Sequence, residues 1–321
     1  MSAARNKPMY SIFGGEPLTY PYLEELFQAI KEEGNVIDIA TNGTLLTKYA
    51  PMLVRLGVDQ IKVSIDGPKE VNDLQRGQGS YEKALEGIKS LHEEKIKAGK
   101  TLPQICIIYT ITRDNYNTLE DFFLNNPHLE LSWLYHIIIQ MQNFITQEMG
   151  DQYASFLKSE FGEMSDIYWK GFVRTLGDFE DINAIELEHQ ANTVFKEMDK
   201  FNIKRILLPP TFSSENLSAY LQTKWSEMTD LYEMCQMPWI CADITASGDV
   251  APCHTLYDLK MGNLHDKSFN EIWFSEQYQN LRDYLIQHTF LPVCNIGCCG
   301  LYYGGKKKRK NRKASHYNLY T

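Results

Sequence analysis

The chain has 321 residues, 43% hydrophobic and 12% aromatic, which suffices to bury a core as one large domain or two smaller ones. Its net charge is −9, yet residues 306–313, KKKRKNRK, hold seven of the 32 basic residues; the remainder carries 25 basic against 41 acidic side chains. An acidic body excludes nucleic acid as the expected main partner, no apolar run is long enough for a membrane span, and MSAARNKPMYSIF lacks a signal-peptide apolar stretch, so a cytoplasmic location is expected.

In chain order, a strand is predicted over 8–13 (PMYSIF), a helix over 23–34 and a strand over 36–43 (VIDIATNG). A helix over 45–57, weakened by Pro51, leads to a strand over 60–67 (QIKVSIDG) and a helix over 81–95. Strands over 103–113 and 129–141, with a helix over 118–126 between them, complete five strands and four helices. Strands alternating with helices mean βαβ units and a parallel sheet, hence an α/β fold. Ligands collect at the carboxyl ends of such strands. There stand Gly14-Gly15-Glu16, Thr41-Asn42-Gly43 and Ser64-Ile65-Asp66-Gly67. Singly, each is an ordinary turn sequence. Together they form one polar rim suited to a small polar ligand.

Residues 143–232 lose the alternation, apart from strand-like composition in RILLPP (205–210), and read as a mostly helical connecting segment whose aromatics serve packing. Cysteines then crowd the chain. Cys106 stands alone in the first 234 residues and reads as a core residue, whereas Cys235, Cys241, Cys253, Cys294, Cys298 and Cys299 follow in the last third. Ser247-Gly248-Asp249 is a tight turn, so Ile244 and Val250 should form a short hairpin that folds Cys241 and Cys253 toward each other. Converging thiolates suit a tetrahedral zinc site or an iron–sulfur cluster, and spacing leaves both open. His136, Gln140 and Gln142 are weaker substrate-site candidates on the last strand. The basic residues 304–321 read as a disordered tail.

FGGEPL after a strand, ATNGTLL, and IKVSIDGPKEVNDLQRG resemble the radical S-adenosylmethionine (radical SAM) superfamily. C-x5-C-x6-G-x4-C, followed by MGNLHDKSFNEIWFSEQYQNLR and a closing cysteine group, resembles a SPASM or twitch auxiliary-cluster domain. The resemblance implies an incomplete (β/α)6 partial barrel over 1–142, a helical connector over 143–232, and a small cysteine-rich SPASM/twitch domain over 233–303. It places Gly14, Gly15 and Glu16 against the methionine end of S-adenosylmethionine, with Glu16 facing the α-ammonium. Ser64 and Arg76 match positions that hold the methionine carboxylate or ribose, and Asn42 lies on the same rim. Cys235, Cys241 and Cys253 match three ligands of one auxiliary [4Fe-4S] cluster. Cys298 is preferred over Cys294 as the fourth.

Family members carry C-x3-C-x2-C on a loop before GGE, ligating the cluster that cleaves S-adenosylmethionine; here thirteen residues precede Gly14 and none is cysteine. The expectation is therefore a chain that lacks the first βα unit and cannot by itself cleave S-adenosylmethionine. No catalytic residue is assigned. A complete relative produces a 5′-deoxyadenosyl radical, needs a reductant such as a flavodoxin or ferredoxin, and modifies a peptide, a protein or another small substrate. The alternatives are a SAM-inactive cluster-binding paralogue, acting in binding or electron transfer, and a zinc-stabilised structural protein.

Overall fold

The computed structural model describes residues 7–162, 168–230, 232–253 and 257–294, and the backbone of 305–307. It forms two compact units. One comprises Met1–Gln142, Phe179–Leu208 and Phe212–Ser214, and the other Asn143–Asp178, Pro209–Thr211 and Glu215–Thr321. No helix among the described residues is long and apolar enough to cross a membrane.

The first unit is built on a parallel sheet whose strands pair in chain order: β1 (Met9–Ile12), β2 (Val36–Thr41), β3 (Gln60–Ser64), β4 (Gln104–Ile111), β5 (Leu134–Met141) and β6 (Lys204–Leu208). The five strands expected from sequence become six among the described residues. The added one, Lys204–Leu208, follows a long helix and opens on two charged residues, so local periodicity gives it little weight. Its pairing with β5 (Ile138 opposite Ile206, Ile139 opposite Leu207) fixes it as a strand. The stretch 143–232 is thus not uniformly helical, and its residues are shared between the two units.

Helices α1 (Leu23–Glu32), α2 (Leu46–Leu56), α3 (Lys69–Arg76), α4 (Ser80–Ala98) and α5 (Leu119–Phe123) connect the first five strands; α6 (Gln147–Phe161) belongs to the second unit and α7 (Ala184–Lys200) precedes β6. One face of the sheet is apolar: Ile37, Ile39, Ile61, Val63, Ile105, Ile107 and Ile137 are all fully buried. The alternate residues give a polar face, which is unusual for a parallel sheet, whose faces are ordinarily both apolar. Lys62, Cys106, His136 and Lys204 lie in one row across β3–β6. The row below holds Ser11, Asp38, Gln60 and Gln104. Between Ile105 and Cys106 the register slips: Ile105 faces Leu134 and Cys106 faces His136, leaving Tyr135 as an extra residue in β5. Such a bulge bends a strand and re-aims its side chains.

The second unit continues with α8 (Ser214–Leu221), β7 (Tyr232–Cys235), α9 (Met237–Ile240), β8 (Asp243–Ile244), β9 (Asp249–Ala251), β10 (Gly262–Asn263), α10 (Phe269–Trp273), α11 (Glu276–His288) and β11 (Gly305–Lys307). β8 and β9 form the expected hairpin, with Ile244 opposite Val250, and β10 extends it. A single apolar cluster joins α6 to this region: Tyr153, Phe156, Leu157 and Trp169 pack with Val250, Leu259, Ile272, Tyr278, Leu281 and Leu285. Asp258, fully buried, accepts hydrogen bonds from the amides of Tyr168 and Trp169 at 2.6 and 3.0 Å. That carboxylate fixes the 168–172 turn against the cysteine region.

Candidate cofactor sites

The carboxyl ends of β1 and β2 converge on one carboxylate. Gly14 and Gly15 have φ of +95° and +54°, and a Cβ built on either meets no heavy atom within 4 Å. The chain there takes a conformation that favours glycine and leaves open space beside its backbone. Glu16 follows at once. Its Oε1 accepts hydrogen bonds from the Leu18 amide (3.1 Å) and the Thr41 hydroxyl (2.7 Å), and its Oε2 accepts one from the Asn42 amide (2.8 Å). One side chain thereby caps the 17–19 turn and clips the end of β1 to the end of β2. Three of the carboxylate's four acceptor directions are used, and one on Oε2 stays available for a cation.

Asn42, expected on the ligand-binding rim, also shapes the local backbone. Its Oδ1 accepts from both the amide and the hydroxyl of Thr44, at 2.9 and 2.6 Å, and shapes the turn into α2. Gly43, at φ +80°, has no room for a side chain: a Cβ would lie 2.8 Å from Val63 and 2.9 Å from Ala84. Ser64 ends β3, half-buried. Arg76 is held by Asp66, its Nε 2.6 Å from Oδ2, while Asp66 Oδ1 accepts from the Thr110 amide at 2.8 Å. The structure therefore brings Gly14, Gly15, Glu16 and Asn42 together through Thr41, and fixes Arg76 to the next strand end through Asp66. Thr41 and Asp66 are the partners that sequence reasoning did not assign. Both stood in the quoted strand-end motifs, but nothing in a motif says which carboxylate a hydroxyl or guanidinium will meet.

On the polar face below the rim, Cys106 is fully buried, as expected of a core residue, and its Sγ lies 3.1 Å from His136 Nδ1. Gln60 Nε2 approaches the same nitrogen at 3.5 Å. Burial, then the charges of Lys62 and Lys204, push His136 down to about 3, and burial pushes the Cys106 thiol up. Both are neutral at physiological pH. Lys62 pairs with Asp38 at 2.5 Å, and Ser11 donates to the same Asp38 oxygen at 3.0 Å. Gln140 donates to the Thr110 hydroxyl at 3.0 Å, and the Gln142 amide bonds the Ile111 carbonyl.

In the second unit, Cys235 ends β7, Cys241 follows α9, and Cys253 follows β9, so the β8–β9 hairpin carries Cys241 and Cys253 from its open end. Cys253 and Cys294 both pack against the apolar cluster around Tyr153 and Tyr278. Their charges, with that of Cys241, bear on the two phenols, which burial chiefly holds above the ordinary tyrosine range. Among the described residues no three His, Cys, Asp or Glu side chains are close enough to hold a metal. Cys298, the preferred fourth ligand, and Cys299 lie outside the described residues. The chemistry around the thiols nevertheless fits an iron–sulfur cluster. Tyr153 Oη, Tyr278 Oη, Asp243 Oδ2 and Arg282 Nη2 are buried with no hydrogen-bond partner among the described residues. Three of these four are donors, as sulfide and thiolate acceptors require.

A family model for the radical SAM superfamily matches residues 2–123, and one for an iron–sulfur cluster-binding SPASM domain matches 235–299. The AdoMet-dependent heme synthase of Methanosarcina barkeri is 40% identical over 285 residues, covering 88% of this chain and 72% of that protein. The chain belongs to the radical SAM superfamily. This radical SAM chain is also 32% identical over 140 residues to the Fe-coproporphyrin III synthase of the same organism, covering 42% of the chain but only a third of that relative's length. In fold it is similar to Streptococcus suis SuiB bound to S-adenosylmethionine, with a TM-score of 0.56 at 17% identity, over 91% of this chain and 62% of that one. The two matched families imply iron–sulfur clusters and S-adenosylmethionine as cofactors.

Proposed function

We propose that this protein is a radical SAM/SPASM enzyme, or the larger part of one, that modifies a tetrapyrrole. The β1–β3 rim would hold S-adenosylmethionine, and Cys235, Cys241, Cys253 and one cysteine of 294–299 would hold an auxiliary [4Fe-4S] cluster. The observation that carries the rim assignment is the Glu16 arrangement: a carboxylate aimed by three donors, beside two glycines with open space over their backbone. The substrate class rests on the 40% identity to the heme synthase over most of this chain. A peptide substrate is the second reading, favoured by the fold shared with SuiB, which has been seen with its precursor peptide SuiA.

S-adenosylmethionine, when bound beside a reduced [4Fe-4S] cluster, supplies a 5′-deoxyadenosyl radical that abstracts hydrogen from an unreactive carbon, with a small reductant protein as electron donor. The chain's own residues bind and orient. Glu16 would pair its remaining acceptor direction with the ligand's ammonium, a charge-assisted contact. Gly14 and Gly15 would let the backbone approach without a side chain between. Arg76, steadied by Asp66, would present its terminal nitrogens to a carboxylate or ribose.

Anaerobic reconstitution with iron and sulfide tests the reading. The 321 residues contain no C-x3-C-x2-C, so the chain should bind about four irons, one [4Fe-4S] unit, and yield no 5′-deoxyadenosine with dithionite. Fusing the C-x3-C-x2-C segment of the heme synthase ahead of Met1 should switch the cleavage on, with turnover stimulated by an iron-coproporphyrin and not by a peptide. Stoichiometric excess of 5′-deoxyadenosine from the unfused chain would refute the expectation that it cannot cleave S-adenosylmethionine by itself; a fused, iron-loaded chain that makes none would refute the enzyme assignment.

A further inference from the structure

Arg282 stands out among the described cations of the second unit. It is 6% exposed, and no carboxylate pairs with it among the described residues. Its Nε donates to the Pro238 carbonyl (3.0 Å) and its Nη1 to the Trp273 carbonyl (2.8 Å). The guanidinium carbon lies 4.7 Å from the Trp273 ring centroid and 4.5 Å from that of Tyr278, and the two rings, 5.0 Å apart, together pack against it. Nη2 is buried and has no partner among the described residues. A buried charge without a counter-ion is costly. Structures retain such a group where something else completes it.

The position of this orphan is informative. Pro238 lies in α9, the four-residue turn between Cys235 and Cys241, and the Cys241 amide bonds back to Met237 in the same turn. Tyr278, one turn before Arg282 on α11, is buried against it, and the Tyr278 hydroxyl also lacks a partner among the described residues. That phenol senses the charges of Cys241 and Cys253 as well as Arg282. Arg282 and Tyr278 therefore present two unused donors in the region of the cysteine turn. A four-thiolate [4Fe-4S] centre is an anion whose sulfurs accept hydrogen bonds, and its charge grows by one on reduction. The cost of burying Arg282 alone is met when that anion is present.

We infer that Arg282, with Tyr278, is the positioning and charge-compensating pair of the auxiliary cluster, donating to its sulfurs and raising its reduction potential. This rests on the cluster reading above and adds what sets the potential. The adjacent Trp273 and Tyr278 rings pack against the guanidinium, the Pro238 and Trp273 carbonyls fix two of its nitrogens, and the third is left for the cluster.

The test uses the full chain, reconstituted anaerobically, with iron content measured first and the potential read by titration followed by electron paramagnetic resonance. Arg282→Gln should keep its iron and lower the reduced-to-oxidised ratio at fixed potential about tenfold, a shift of ~59 mV for one electron. Arg282→Lys, which keeps the charge and loses the fork, should recover part of that ratio. Tyr278→Phe should lower the ratio in the loaded protein yet leave the metal-free protein as stable or more so, because it removes a hydroxyl that has no partner there. A purely structural role would move iron content or stability in the same direction in both states. Full iron with unchanged potential in Arg282→Gln and Tyr278→Phe overturns the inference and leaves the cluster reading standing. Loss of iron in Arg282→Gln shifts the decision to Arg282→Lys and Tyr278→Phe, where an unshifted potential again overturns it. Failure of the unmodified chain to bind iron overturns both.

Discussion

His136 lets the buried polar row of the sheet be weighed by pH. Its imidazole is 1% exposed, 3.1 Å from the Cys106 thiol and near Lys62 and Lys204, and its value falls from 6.5 to about 3. Burial is the largest cause, and the two lysines add to it. The sign follows from proton counts. Between these values the unfolded chain binds a proton that the folded one refuses, so stability is intact above the ordinary histidine value and is lost as pH falls toward 3. For one such group the loss is about 2 kcal/mol at pH 5 and about 3 kcal/mol at pH 4, and close to nothing at pH 7. His136→Leu removes the titration. Because the chain has two units, a single unfolding free energy is ill-defined, so the assay is hydrogen exchange of peptides covering β4 and β5, corrected for the intrinsic pH dependence. Relative to wild type, the variant should gain about 2 kcal/mol of protection in those strands between pH 7 and pH 5. Equal pH dependence in variant and wild type would show that the imidazole is protonated in the folded state, and the account of this row would fail.

Glu16→Gln turns an acceptor-only carboxylate into a half-donor facing two amides and a hydroxyl; it should cost about 1.5–3 kcal/mol of local stability and weaken S-adenosylmethionine binding by roughly tenfold or more, measured by hydrogen exchange of peptides covering β1 and β2 and by calorimetry. Thr41→Val should reproduce most of the stability loss and little of the binding loss. Gly43→Ala places a methyl 2.8 Å from Val63 in a left-handed backbone, and a loss of about 2 kcal/mol or more of hydrogen-exchange protection in peptides covering β2 and β3 is expected. Cys241→Ala or Cys253→Ala should abolish the brown chromophore after reconstitution, whereas Cys106→Ala, on the other unit's sheet, should leave it unchanged, as absorbance near the charge-transfer band will show.

The first five strands were legible because each pairs a β-rich run with a glycine or polar turn, and the βα alternation then dictates a parallel sheet. β6 was only half legible: RILLPP has strand composition, but its place comes from β5, far away in sequence. The rim residues were legible as a set and illegible as a network. Glu16 announces itself beside two glycines, yet its bonds to Thr41 and Asn42 join positions 25 and 26 residues apart. The polar sheet face was missed because Asp38, Lys62 and His136 sit at alternate positions, where an exposed face would look the same. Arg282 was missed for a similar reason. An arginine four residues after a tyrosine on an amphipathic helix reads as solvated, and only Trp273, from the preceding helix, turns it into a buried charge.

The triple engagement of Glu16 has a consequence for how the rim meets its ligand. One carboxylate locks the 17–19 turn, the end of β1 and the start of the 42–44 turn through the chain's own hydrogen bonds. The rim is thus preorganised, and little ordering entropy remains to oppose binding at that end. Recognition at this corner should resemble a key entering a finished lock, with the heat capacity and backbone order of residues 14–18 and 41–44 nearly the same before and after. Any large rearrangement on binding must come from elsewhere in the chain.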